Sequence, residues 1–536
     1  MMLGKLKSYN PKIYQWIFIG LLILTSLAYS YHEIIRMRPQ SIHQWRQCDC
    51  LSITMNYYME NRDFLNPSIH RIGLCDNGKT VSEFPIIYYT IAKLWKVFGY
   101  HEWIFRLMNT LILFSALFAL FKFYEDVLKN SVWAIMITLF FFTSPILVFY
   151  GNNFTADVPA LSMAIIAWFF FWKFYKTEKN KWLAVSALFF MTGILLKASA
   201  GISFICVGVV FLLEFFNIIK FKNEEKIFKQ PYKQSLIFII PLTLVFVWYA
   251  YASHYNKQNN DGLFLIGILP IWEFDRVHIV ETARSLLHEL LPQYFNLYAL
   301  VIILSMFILL FVFPKKANFM FFVITTTMFI GVIIFLILFF QVFNVHDYYL
   351  INMLIFVVFI LISFFVFLQQ NYPNVLSNSK LKIAFAILLG FSIYNTAVIQ
   401  RAKYFGSYSI LLDQKQVEYW QWYHWDYNNH FKSLETATPY LRSIGINRED
   451  RVFSTPDQSI NISLYLMDQK GWTDYGHGEF ADNNKAFMEY IVKHNAKYLI
   501  INDTDKLKEE FLQPYISKKI GQYQNIEIFD LRQMNK

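Results

Sequence analysis

Long apolar runs separated by short polar connectors dominate residues 1–399 of the chain. Runs of roughly 17–25 apolar residues have the length of a membrane-spanning helix. The pattern predicts spans at Ile13–Tyr31, Trp103–Phe121, Val132–Tyr150, Val158–Trp172, Trp182–Leu196, Gly201–Ile219 and Leu236–Ala252. Four more follow at Leu297–Phe313, Phe319–Phe343, Tyr348–Leu368 and Ile383–Ile399, making 11. The first lacks a small-residue cleavage site and precedes many similar segments, so it is expected to be a retained span. Two polar regions are too long for plain connectors. In Glu33–Glu102, the stretch Phe84–Phe98 is apolar enough to lie along the membrane interface. In the tail from Gln400, short β-like runs (Arg451–Ser454, Lys497–Ile501, Ile526–Leu531) alternate with helical stretches (Ile460–Met467, Asn484–His494, Leu507–Tyr515). That alternation predicts a small α/β domain with a parallel sheet. The expected fold is mainly α: a polytopic membrane domain over 1–399 and a small α/β domain over 400–536.

Composition agrees, with 56% hydrophobic and only 16% charged residues and a mean hydropathy of +0.34. Disordered and collagen-like chains are excluded, and a fully soluble protein is not expected. The net charge of +10 would raise nucleic acid as a partner if it formed a patch. It does not. Residues 1–399 carry a net +11 and the tail a net −1. With a cytoplasmic N-terminus, 18 basic residues fall in inner segments. They are Lys5, Lys7, Lys12, Lys122, Lys129, Lys173, Lys176, Lys179, Lys181, Lys220, Lys222, Lys226, Lys229, Lys233, Lys315, Lys316, Lys380 and Lys382. Only four (Lys197, Lys257, Arg276, Arg284) occupy outer loops other than the first. The positive-inside rule then puts the first loop and the tail outside the cell membrane, with a bacterial inner membrane as the expected setting. The charge sets topology, and no nucleic-acid partner is expected.

The chemistry-bearing residues cluster at the outer ends of the spans. His43-Gln44-Trp45-Arg46-Gln47-Cys48-Asp49 follows span one, where Asp49 is a candidate base and a solvated pair with Arg46 the plainer alternative. Glu83-Phe84-Pro85 opens the interfacial stretch, where Pro also suits a helix start. His101-Glu102-Trp103 precedes Arg106, which needs an anion or carbonyls inside a span. Asp157 stands at the mouth of span four as cap or site residue. Lys197 lies on the side with few basic residues, where an anion partner explains it better than snorkelling. His346-Asp347-Tyr348-Tyr349 completes the set, with an aromatic belt as the alternative reading. Ionisable groups at one surface suit a membrane-surface enzyme; an alternating-access transporter would concentrate them near the midplane.

Trp45-Arg46-Gln47-Cys48-Asp49, Glu83-Phe84-Pro85, Gly99-Tyr100-His101-Glu102-Trp103-Ile104-Phe105-Arg106 and His346-Asp347-Tyr348-Tyr349-Leu350 together resemble motifs of the GT-C superfamily of membrane glycosyltransferases. The resemblance is to family 39, which includes protein O-mannosyltransferases and lipid A aminoarabinose transferases, and it covers roughly Ile13 to Leu350. It implies an inverting transfer from a polyprenyl-phosphate sugar to a lipid, glycan or protein acceptor on the outer face. Asp49 matches the family's catalytic acid position, here as general base, and Arg106 its second-span Arg. Arg46, Arg106 and Lys197 are the candidate phosphate cations. His346, Tyr348 and Tyr349 are expected to bind phosphate or sugar, and Glu83 to orient acceptor or sugar. Glu102 and Asp157 complete the expected substrate-binding set. An alternative for the carboxylates is a divalent cation held by Asp49 and Glu83. Two positions depart from the family: Cys50 where many relatives have a second acid, and Phe84 where aminoarabinose enzymes have Lys.

Cys48, Cys50 and Cys75 share the first outer loop, and Cys206 lies in span six. Cys75 paired with Cys48 or Cys50 is one expectation; zinc held by these cysteines with His43 or His70 fits no standard spacing. Two other function classes stay open at this point. One is a transporter or flippase of lipid-linked saccharide, and the other a membrane-anchored sensor working through its tail.

Overall fold

The computed structural model describes residues 11–222, 225–259, 263–265, 267–480 and 483–534; Lys5 and Lys7 lie outside them. Among the described residues, seven helices are long and apolar enough to cross a membrane: Trp103–Leu128, Asp157–Thr177, Ala198–Phe215, Pro231–Asn259, Phe319–Leu338, Asp347–Asn371 and Ser379–Phe405. Two bent pairs raise the number to as many as nine. The expected spans Ile13–Tyr31 and Trp182–Leu196 form the shorter apolar helices Lys12–Ala28 and Asn180–Leu196. The chain is an integral membrane protein. The stretch Val132–Tyr150, expected as one span, is broken: Ser131–Phe141 and Pro145–Gly151 meet at 79°. Pro145 has no N–H for a continuing helix and its ring opposes the preceding turn, so it starts a new helix instead. Similarly, Leu297–Val312 meets Arg276–Tyr294 at 97°.

Contacts divide the chain into two compact units. The first holds the N-terminal segment through Arg36, Arg106–Val247 and Ile268–Arg401. Without water in the bilayer core, its polar side chains must find partners inside the protein. The Thr325 and Ser363 hydroxyls lie 2.8 Å apart, and Tyr124 donates to the Val358 carbonyl at 2.9 Å. Small residues let helices approach closely. Ser186 donates to the Ala167 carbonyl at 2.8 Å, and at Gly193 a Cβ would lie 3.1 Å from the Ala160 carbonyl oxygen.

The second unit joins Met37–Phe105 and Trp248–Gly267 to the chain from Ala402 onward. Its first helix, α1 (Gln44–Met59), is polar in sequence yet buried over most of its length. Helix α2 (Ile86–Phe98) falls in the stretch expected at the membrane interface and buries Ile87, Tyr88, Ile91, Ala92 and Trp95. The tail forms a five-stranded sheet from β1 (Val452–Thr455), β2 (Gly471–Trp472), β3 (Tyr498–Ile501), β4 (Lys519–Tyr523) and β5 (Ile526–Asp530), in the order β2-β1-β3-β5-β4. Strands β2, β1 and β3 run parallel, but β5 is antiparallel to β3 and β4 to β5. The sheet is therefore mixed, which corrects the all-parallel expectation. The β4–β5 hairpin causes the difference: Tyr523 and Ile526 are register partners across a tight turn, with Gln524 at φ 51°. The stretch Leu507–Tyr515 is not an amphipathic α-helix but part of two 3₁₀ turns, Thr504–Lys508 and Glu510–Tyr515, the second containing Pro514. Helix α3 (Asn484–Lys493) sets Phe487, Met488 and Ile491 against Phe453, Leu499 and Phe529 of the sheet.

The edge beside β2 is covered by residues 70–72. Arg71 pairs in parallel with Gly471, the Gly471 N–H donates to the His70 carbonyl at 3.3 Å, and the Ile72 N–H to the Gly471 carbonyl at 3.0 Å. Covering an edge satisfies its backbone groups and protects it from foreign strands. On its other side β2 approaches β1 so closely that position 471 needs a glycine, because a Cβ there would overlap the Val452 carbonyl oxygen. Gly471→Ala should destabilise the protein by about 1–3 kcal/mol through this overlap with rigid backbone. Thermal unfolding of the purified variant, with its midpoint below that of the parent, checks this.

Candidate active site

Asp49 lies on α1, flanked one turn earlier by Arg46. Both are buried, at 3% and 8% exposure. Charge in such a place needs compensation. Arg46 Nη2 donates to both oxygens of Glu83, at 2.8 and 2.5 Å, and its guanidinium stands over the Phe264 ring. Tyr88, from the first turn of α2, donates to Glu83 and approaches the Cys50 sulfur at 3.2 Å. Glu83 thus closes an ion pair with Arg46 directly before α2, and the expected Arg46–Asp49 neighbourhood is a buried triad. The expectation of a solvated pair does not describe it.

Asp49 accepts a hydrogen bond from Asn461 Nδ2 at 2.8 Å. Burial pushes the Asp49 carboxyl up to about 6, opposed by Arg46 and the Asn461 bond and assisted by the negative charges of Glu83 and Asp457. A carboxylate held near neutrality can accept a proton with useful driving force. Asn461 was not singled out in the sequence; its signal was weak, a neutral amide in the loop after β1.

A second constellation, Ser52–His70–Asp468, has the residue types of a nucleophilic triad. The His70 ring nitrogens lie 2.7 Å from the Ser52 hydroxyl and 3.1 Å from Asp468. Ser52 and His70 are both wholly buried, so no substrate carbonyl reaches the hydroxyl. Burial lowers His70 to about 4, keeping it neutral. Arg448 binds Asp468 and Glu60 at 2.8 and 2.9 Å, which makes this group a structural weld within the second unit. Glu102 is similarly engaged: it accepts from Arg38 at 3.0 Å, Tyr100 at 2.8 Å and Tyr465 at 2.6 Å.

The first unit gathers most of the remaining candidates. Lys197 follows Asn180–Leu196 and pairs with Asp157 at 3.0 Å. Its ammonium stands 5.2 Å from the ring centres of both Tyr348 and Tyr349. His346 packs on the same two tyrosines, at 5.4 and 5.6 Å between ring centres. Asp157 occupies the first helical position of Asp157–Thr177 without forming a side-chain cap, so its ion pair is the observed role. Asp347 accepts from the Tyr150 hydroxyl at 2.6 Å. Arg106 is fully buried, donates to the Asn152 carbonyl and stacks over Phe154 at 4.1 Å. The Asn152 carbonyl is thus one of its partners.

Cys48 and Cys50 are buried thiols on α1 outside any disulfide, whereas Cys75 is exposed; the expected pairing is not formed. Burial pushes the Cys50 thiol up to about 12, so it stays protonated. Among the described residues, no three His, Cys, Asp or Glu side chains converge as a metal site. The Asp49–Glu83 set does not fit a divalent cation as built, because Arg46 and Tyr88 already occupy the Glu83 carboxylate.

Comparison with solved structures follows from this geometry. ArnT from Cupriavidus metallidurans in the apo state superposes with a TM-score of 0.57 at 10% identity, covering 96% of this chain and 97% of that one. The same protein bound to undecaprenyl phosphate gives 0.58 at 11% identity over the same shares. The fold is that of ArnT. The GT-C architecture expected from the motifs is therefore present, tail included, at an identity that speaks for the fold alone. The family model described as dolichyl-phosphate-mannose-protein mannosyltransferase matches residues 82–253, which begin just before Glu83 and include Arg106, Asp157 and Lys197. No curated protein sequence matches the chain.

Proposed function

We propose that the protein transfers a sugar from a polyprenyl-phosphate donor to an acceptor at the outer membrane face, with inversion and with Asp49 as general base. The observation carrying this reading is the buried Asp49 carboxylate, held near 6 and fixed at one oxygen by Asn461. The ArnT fold, solved elsewhere with undecaprenyl phosphate, supports the donor class. The match to the mannosyltransferase model supports glycosyl transfer.

In the proposed step an acceptor hydroxyl or amine gives its proton to Asp49 as its lone pair forms the new bond to the anomeric carbon. The bond from that carbon to the phosphate oxygen breaks on the opposite side, and its electron pair leaves with polyprenyl phosphate. Charge growing on the phosphate requires a fixed cation. Within the first unit, Lys197, whose side chain is 20% exposed while Arg106 is wholly buried, is the cation we propose for a phosphate ligand. Tyr348, Tyr349 and His346 hold that ammonium's surroundings and offer polar groups for phosphate or sugar. Arg46 and Glu83 maintain the field at Asp49, and Arg106 fixes the Asn152 backbone.

The pH profile tests this. Burial raises the Asp49 value, so below about 6 the carboxyl is protonated and cannot accept the acceptor's proton. The transfer rate should fall as pH drops through about 6 and level off above it. Single-turnover transfer in proteoliposomes, measured across roughly pH 5 to 8, checks the position of that limb. A rate independent of pH over this range with chemistry rate-limiting would sink the role given to Asp49.

A further inference from the structure

We propose that the soluble tail supplies a positioning residue to the transfer reaction: Asn461 fixes the orientation of the Asp49 carboxylate. The proposal rests on the reading of Asp49 as the base and assigns the tail a part in the same site.

The geometry is a closed ring of contacts within one unit. Asn461 is wholly buried. Its Oδ1 accepts from the Arg71 backbone N–H at 2.9 Å, which leaves Nδ2 as the group facing Asp49 Oδ1, 2.8 Å away. The amide thus has a defined orientation, with acceptor and donor ends both engaged. Arg71 is itself held by pairing with Gly471 at the sheet edge. Its neighbour His70 is bound through ring and backbone to Ser52, whose hydroxyl accepts from the His70 N–H at 2.8 Å. Ser52 lies one helical turn beyond Asp49 on α1. The path from Asp49 through α1 to Ser52, His70, Arg71 and Asn461 therefore returns to the carboxylate itself.

This arrangement does two things that a solvated carboxylate lacks. It commits Oδ1 to a neutral donor, so that Oδ2 is the oxygen presented for proton transfer. It also stabilises the charged form against burial without adding a second cation. The charged and titratable groups around Asp49 are Arg46 on its own helix, Glu83 before α2 and Asp457 in the loop after β1, with the thiols of Cys48 and Cys50 adjacent on α1. Asp457 is held by Ser459 and by the Ser463 N–H at 2.8 Å, so the loop that carries Asn461 is itself rigidly hydrogen-bonded.

The test compares Asn461→Ala, Asn461→Asp and Asp49→Asn in the full-length protein. In Asn461→Ala the turnover rate should fall about tenfold or more, as expected for losing a hydrogen bond to a charged group. Its acidic limb should move up by about one pH unit, with KM for the donor little changed. Asn461→Asp keeps the acceptor for the Arg71 N–H, so it should fold even if the alanine variant does not. It places a second carboxylate against Asp49, and its limb should move further upward. A folded Asn461→Asp or Asn461→Ala enzyme with parental turnover and an unmoved limb overturns the positioning role. A purely structural role would lower the unfolding midpoint while leaving the limb in place. An inactive Asp49→Asn beside unaffected Asn461 variants defeats only this inference, whereas an active Asp49→Asn defeats the underlying reading of the base.

Discussion

Asp49→Asn should insert, fold and accumulate as the parent does, yet lose transfer by roughly 10²–10⁴-fold, the usual contribution of a general base. The substitution is isosteric, so α1 keeps its packing. It also removes a charge whose burial is costly, because the raised carboxyl value means that the charged form is disfavoured in place. Stability at neutral pH should therefore be equal to or above that of the parent. A carboxyl raised by burial contributes most to stability below its unfolded value, near 4, and loses that contribution as pH rises through about 6. Loss of activity with retained stability separates a chemical role from a structural one. Transfer assayed beside the thermal unfolding midpoint measures both.

The largest stability effect should come from Arg46→Met. It leaves the Glu83 carboxylate, 6% exposed, without its cation. Breaking one side of a buried ion pair costs about 3–5 kcal/mol, because the remaining charge is uncompensated. The Tyr88 donor stays and moderates the loss. Replacing both partners, Arg46→Met with Glu83→Gln, should recover much of that cost, since no buried charge then lacks a partner. Unfolding midpoints of the two single variants and the double variant form the cycle. Arg46 also lowers the Asp49 value, so a folded Arg46→Met enzyme should show its acidic limb above that of the parent.

Apolar length made the membrane part legible, because a spanning helix needs nearly continuous hydrophobic sequence. The same criterion missed the break at Pro145, where an apolar run continues through a change of direction. Helix α2 was legible as the apolar stretch that follows Glu83-Phe84-Pro85. In the tail, β1, β3 and β5 were visible as short β-rich runs. Strand β2 is two residues long and β4 is polar with a central glycine, so neither shows an alternation to detect. Asp49, Arg46 and Glu83 stood out as charged residues clustered at the outer boundary of the predicted spans. Asp157 at a span mouth and Lys197 on the side with few basic residues were each visible, but their pairing depends on helix packing that no local pattern encodes. Asn461 was hidden more deeply. It is uncharged, sits in a loop of ordinary composition, and meets Asp49 across 412 positions of sequence.

The most direct measurement follows a defined polyprenyl-phosphate sugar in proteoliposomes with an acceptor fraction and no ion gradient, by mass spectrometry of both pools. Glycosyl transfer is expected to release polyprenyl phosphate and to give acceptor heavier by one sugar, with neither product formed by Asp49→Asn. Intact donor moved to the opposite leaflet, with no polyprenyl phosphate released and no acceptor modified, would contradict it.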